Sequence, residues 1–205
     1  MNRDLTSCIN NLSIVLNNFD WNLKNENFYV ISLMIRNKDH NNIFKKNSIQ
    51  IRDYYVSSQQ ELLEKFDLIK YLCDSLWCRA YISTNYYNYE NVWKYYLKYV
   101  TDQFLLKNFK TLLKNSYTKS IFNSKREKKK WLVDIDDISR FSKEYLCFSQ
   151  YFKEHDISYF EVPTKNWYHL ICDPFDLKKF RETTWETCSN TIIHQNEYTL
   201  LYTSL

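Results

Sequence analysis

Apolar side chains follow two rhythms along these 205 residues. Leu5, Cys8, Ile9, Leu12 and Val15 recur at helical spacing and predict a short amphipathic helix within residues 1–20. Phe28 to Ile35 and Ile49 to Val56 are β-rich runs separated by the polar, basic stretch 36–47, which predicts a hairpin with a long connection. Ser57 and Ser58 then precede a helix with the apolar stripe Leu62, Leu63, Phe66, Ile69, Leu72 and Cys73, and Glu61 stands at capping-box spacing from Ser58. Arg79 to Thr84 reads as a short strand. Residues 88–115 carry a long helical pattern, and the polar, basic stretch 117–129 reads as an internal linker.

The last third is the most regular. A strand over 130–136 precedes a helix over 138–153. Strands at 157–162 and 167–172 follow, joined by the turn Pro163-Thr164-Lys165-Asn166. A short helix starts at Asp173 and Pro174, and extended segments at Thr191–Ile193 and Thr199–Tyr202 close the chain. The order β-α-β-β-α-β predicts an α+β fold: a C-terminal RRM-like or ferredoxin-like unit over 125–205, packed with an N-terminal strand–helix lobe over 1–124.

Alternation in the strand at 130–136 puts Trp131, Val133 and Ile135 on one face and Leu132, Asp134 and Asp136 on the other. Two carboxylates on one face are costly unless a cation lies between them. The plainer reading makes Asp136 or Asp137 the cap of the following helix. In the strand at 167–172, His169, Ile171 and Asp173 share a face. The expected strand order sets this strand beside the first, with His169 next to the two acids on an open face that no helix covers. Two acids and an imidazole suit a metal-bound phosphate ester.

Lys125, Arg126, Lys128, Lys129 and Lys130 lie just before the acidic strand; they either track a nucleic-acid backbone or form a solvated loop. Arg79 and Lys165 read as phosphate ligands or as surface charges. The tyrosines at 86, 87, 89, 95, 96 and 99 either stack bases or pack between lobes. His169 and Cys172 are three apart on a strand, so they point to opposite faces and do not share a zinc ion.

Composition adds three points. The net charge of +4 permits a nucleic-acid partner without demanding one. The chain has no glycine, so backbone positions with positive φ are expected to fall to Asn and Asp. No run approaches 18 apolar residues and the N-terminus lacks the pattern of a signal peptide, so a cytoplasmic protein with its six cysteines as free thiols is expected.

Asp134-Ile135-Asp136, followed by Thr164-Lys165-Asn166-Trp167-Tyr168-His169, resembles the catalytic core of the archaeo-eukaryotic primase superfamily, which includes primase small subunits and primase-polymerases. The resemblance covers residues 128–205. It implies template-directed nucleotidyl transfer, with Asp134 and Asp136 holding Mg²⁺ or Mn²⁺ and His169, Thr164 and Lys165 holding the triphosphate. The implied partners are nucleoside triphosphates, a single-stranded DNA template and a replicative helicase or other replication proteins. Two positions depart from the family pattern. The stretch Ser189 to His194 lacks the third acid, and Trp167 stands where the family has glycine. The ending from His194 to Tyr202 is similar to that of small tailed-bacteriophage proteins, which implies a phage origin and names no activity; together with the primase-like core it implies a role in phage DNA replication in the host cytoplasm. The alternative is a non-catalytic RRM-like module that binds single-stranded nucleic acid, or a phage protein that engages a host factor.

Overall fold

The computed structural model describes residues 8–24, 26–124, 129–135, 143–165, 168–188, 192–194 and 197–205. It is a mixed α+β fold with two antiparallel sheets. The first part of the chain forms β1 (Ile9–Asn10), α1 (Leu12–Asn18), β2 (Asn27–Arg36), β3 (Ser48–Val56), α2 (Gln59–Leu76), β4 (Arg79–Ser83), β5 (Tyr87–Asn88), α3 (Tyr89–Leu105) and α4 (Phe109–Asn123). The rest forms β6 (Trp131–Ile135), α5 (Lys143–Glu154), β7 (Tyr159–Pro163), β8 (Tyr168–Cys172), α6 (Leu177–Cys188), β9 (Ile192–His194) and β10 (Tyr198–Thr203).

The first sheet runs β1-β10-β4-β2-β3, with β5 on the start of β2. β2 and β3 form the expected hairpin, Tyr29 opposite Val56 and Arg36 opposite Ser48. Tyr29, Ile31 and Leu33 point to one face, where they meet Leu62, Phe66, Ile69 and Cys73 of α2. α2 begins at the expected cap: the Ser58 side chain accepts from the Glu61 N–H, and Glu61 accepts from the Ser57 N–H at 2.8 Å. Leu63 of the expected stripe is instead exposed.

The opposite face of this sheet is covered at one end only. There Phe28 and Val30 pack on Tyr87 of β5 and on Val92 and Ile121 of the α3–α4 hairpin. At the other end, Met34, Arg36, Arg79 and Tyr81 line a cleft.

The second sheet runs β7-β8-β6-β9. Val133, Ile135, Leu170 and Cys172 pack under α5 and α6 against Phe148, Tyr151, Phe152 and Phe180. Its other face carries Leu132, Val162 and Ile171, as the alternation predicts, but that face is not open. With Phe160 of β7 it meets Ile14 of α1, and it turns toward the first sheet. Burying Leu132, Val162 and Ile171 there contributes roughly 1.5–3 kcal/mol per side chain, which an open face would forgo.

Two asparagines fasten the joint. Asn11 donates from Nδ2 to the carbonyls of Pro163 and Leu200, both at 2.8 Å, and so ties β7 to β10. Asn85 donates to the Lys130 carbonyl at 3.0 Å and accepts from the Lys130 N–H. The chain also crosses the joint after β9, because β10 pairs antiparallel with β4 in the first sheet.

Four elements differ from the sequence reading. Among the described residues, the N-terminal helix is α1 alone, preceded by the short strand β1; Leu5 of the expected stripe lies outside them. The long helix over 88–115 is two helices, because Lys107 between them takes a left-handed φ of 55°. The stretch 117–129 is not a linker throughout, since α4 runs to Asn123 and buries Ile121. α6 starts at Leu177 rather than at Asp173. Positive φ falls to Asn41, Asn42 and Asp156 as expected, and also to Lys107 and Trp77. Trp77 ends α2 with φ 52°, a position where a side chain costs roughly 1–2 kcal/mol and glycine costs little. Among the described residues, no helix is long and apolar enough to cross a membrane.

Candidate functional site

The cleft between the two sheets has a volume of about 320 Å³. β6 and β8 supply one wall. Asp134 and His169 are direct cross-strand partners there, so strand alternation and register together bring them into the cleft. His169 Nε2 lies 3.7 Å from Asp134 Oδ1, too far for a hydrogen bond. The ring is fixed from its other side, where Nδ1 shares a 2.9 Å hydrogen bond with Thr199 Oγ1 of β10. The turn after β7 adds Thr164 and Lys165 to the same wall.

The first sheet supplies the opposite wall. Arg36 ends β2, and its guanidinium donates to the Tyr81 hydroxyl at 3.2 Å. Lys38 follows in a 3-10 turn over Asn37–His40. Arg79 is buried and forked onto Asp39, with Nε to Oδ2 at 2.7 Å and Nη2 to Oδ1 at 2.5 Å. That pair anchors the turn that carries Lys38. His194 and Glu197 stand at the rim, with Nδ1 and Oε1 3.6 Å apart.

The electrostatics of the cleft favour an anion beside a carboxylate. Arg79 is matched by Asp39 and Glu197 faces His194. Arg36, Lys38 and Lys165 then set three cations against Asp134. Burial lowers the Lys38 ammonium pKa, and the neighbouring charges of Arg36 and Arg79 lower it further. An incoming anion offsets both by favouring the charged ammonium. Burial also raises the Asp134 carboxyl, against the opposing pull of His194, Lys38 and Arg36. Among the described residues, Asp134 Oδ1 and Thr164 Oγ1 are buried without a hydrogen-bond partner. Two such oxygens on one cleft wall can each take a further hydrogen bond or a cation.

The fit to a divalent cation rests on Asp134. Its buried, unpartnered carboxylate oxygen is a hard donor of the kind Mg²⁺ or Mn²⁺ takes. Among the described residues, no group of three His, Cys, Asp or Glu side chains is placed to hold a metal ion. Asp136, the second expected ligand, lies outside the described residues, as do Arg126, Lys128 and Trp167. β9, where a third acid was sought, puts Ile192 opposite Asp134 and His194 opposite Leu132.

The remaining basic residues lie elsewhere. Lys129 is exposed, and Lys130 is paired with Asp173 at 2.6 Å at the far end of β6. Arg36, Lys38, His194, Glu197 and Thr199 escaped the sequence reading. Arg36 had a usable signal, since it continues the alternation of Met34 along β2; Lys38 sits in a loop and had none.

His169 makes a measurable prediction for the metal-free protein. Burial, with His194 adding to it, lowers its pKa from 6.5 to about 4. Between those values the unfolded chain binds the extra proton. The stability that depends on neutral His169 is therefore complete above about pH 6.5 and is lost as pH falls toward 4, by roughly 3 kcal/mol. Raised Asp134 contributes with the opposite sign, so the comparison is with His169→Gln in EDTA. Urea unfolding from pH 7.5 to 4 should show wild type losing more stability than the variant; parallel curves would contradict a neutral buried imidazole.

No family of known proteins, no curated protein and no solved structure matches this chain.

Proposed function

We propose that this protein is a primase-polymerase-like nucleotidyltransferase acting in phage DNA replication. It transfers nucleotides onto a primer or an initiating nucleotide along a single-stranded DNA template in the host cytoplasm. The observation that carries this reading is the convergence of Asp134, His169, Thr164 and Lys165 from one sheet with Arg36 and Lys38 from the other, in one cleft. The strand order β7-β8-β6-β9, with α5 and α6 together on one face, supports taking residues 131–194 as the RRM-like unit that such enzymes use.

In this reading Arg36, Lys38 and Lys165 hold the triphosphate of the incoming nucleotide. Thr164 donates its hydroxyl to a phosphate oxygen. His169, kept neutral by burial and fixed by Thr199, offers a ring N–H toward the same group if Thr199 donates to Nδ1. Asp134, with Asp136, holds Mg²⁺ or Mn²⁺, which when bound neutralises the triphosphate and lowers the pKa of the primer 3′-hydroxyl. Helicase or other replication proteins deliver the template.

Equilibrium binding of a labelled nucleoside triphosphate tests the anion-binding half of the proposal. Arg36→Ala and Lys165→Ala should each weaken binding about tenfold, the equivalent of roughly 1.4 kcal/mol. Unchanged affinity in both would remove the cleft from consideration. A second reading, a non-catalytic single-strand binder, is favoured by the absence of a three-ligand metal group among the described residues. It predicts nucleic-acid binding that EDTA leaves intact and no triphosphate binding.

A further inference from the structure

A second cavity, of about 380 Å³, lies on the same sheet face at the other end of the joint. β6 connects the two. Asp134 is near its end, and Lys130 immediately precedes its start, about 13 Å away along an extended strand. In β8 the same alternation sends His169 to the first cavity and Ile171 to the second, which Asp173, just after the strand, also lines.

Rings wall this second cavity. Phe19, which follows α1, and Phe160 of β7 are both partly exposed, with centroids 5.9 Å apart. Tyr29 and Tyr86 are buried behind them, and Tyr29 packs on Phe19 at 5.3 Å. The rim carries Asp20, Asp173 and Lys130. Asn85 grips both backbone groups of Lys130, so this residue is held at the rim by its main chain while its side chain stays half-exposed.

Flat apolar walls suit a planar ring, and rim carboxylates accept hydrogen bonds from exocyclic amino groups. The Lys130–Asp173 pair is exposed enough to exchange partners with a phosphate, and Lys129 is exposed beside it. We infer that this cavity holds one unstacked, amino-bearing base of the single-stranded nucleic acid, with Lys129 and Lys130 toward its backbone. The inference rests on the nucleotidyl-transfer reading of the first cleft, and it assigns the strand a path along β6.

Fluorescence anisotropy with labelled single strands, in EDTA and without triphosphate, tests this inference independently of catalysis. An oligodeoxycytidylate should bind more tightly than an oligothymidylate, which lacks the amino donor. Phe160→Leu keeps an apolar side chain and removes the ring; it should weaken binding roughly tenfold and abolish the quenching of a 2-aminopurine placed in the strand. Phe19→Leu should do the same. Unchanged affinity and quenching in both folded variants would overturn the inference, even if nucleotide incorporation is retained. So would a cavity that takes an arginine-bearing peptide and no oligonucleotide. Loss of incorporation with ring-dependent strand binding intact would instead count against the first cleft alone.

Discussion

Arg79→Met should destabilise the protein by roughly 3–5 kcal/mol, the usual cost of leaving one member of a buried ion pair without the other. The two side chains are only 6% and 5% exposed, and both nitrogens of the fork are engaged by Asp39. The variant leaves the largely buried Asp39 carboxylate without the guanidinium that matches it. Its urea midpoint should fall at an unchanged m value. The double variant Arg79→Met/Asp39→Leu should recover most of the loss, because a matched apolar pair leaves no uncompensated charge. It should still bind triphosphate less tightly than wild type, since the fork holds the turn that sets Lys38 in the cleft. A single variant as stable as wild type would mean that Arg79 is not structurally paired.

Asp134→Asn should have the opposite profile. Its carboxylate is desolvated, carries a raised pKa and, among the described residues, has a buried oxygen with no hydrogen-bond partner. Charge there is a burden to the fold at neutral pH, so the amide variant should be at least as stable as wild type. Its nucleotidyl transfer should nonetheless fall by roughly a thousandfold, because the variant loses the oxygen that holds the cation, an interaction worth several kcal/mol in the transition state. A residue whose removal spares stability and removes activity is there for function.

The contrast between these residues shows what the sequence discloses. Asp134 and His169 were legible because a strand's period of two fixes which side chains share a face. The β2–β3 hairpin and the Ser58 cap were legible because their signals are local. The opposite wall of the cleft was not. Arg36 and Lys38 lie far from Asp134 in sequence, and periodicity says which face is apolar without saying what packs on it. For the same reason the face of β6 and β8 read as open, when Ile14 of α1 packs on part of it and the first sheet faces the rest across a cleft. Arg79 read as a phosphate ligand or a surface charge, because its partner Asp39 sits in a polar loop with no periodic signal. The break at Lys107 was hidden by the absence of any glycine or proline to announce it.

The central claim is that the inter-sheet cleft transfers nucleotides. The most direct test is Mn²⁺-dependent incorporation of a labelled nucleotide on a primed single strand, with wild type and Asp134→Asn run side by side. The account predicts incorporation by wild type, its loss in EDTA and its loss in the equally folded variant. A folded wild-type protein that incorporates nothing, or an Asp134→Asn protein that incorporates at the wild-type rate, would contradict it.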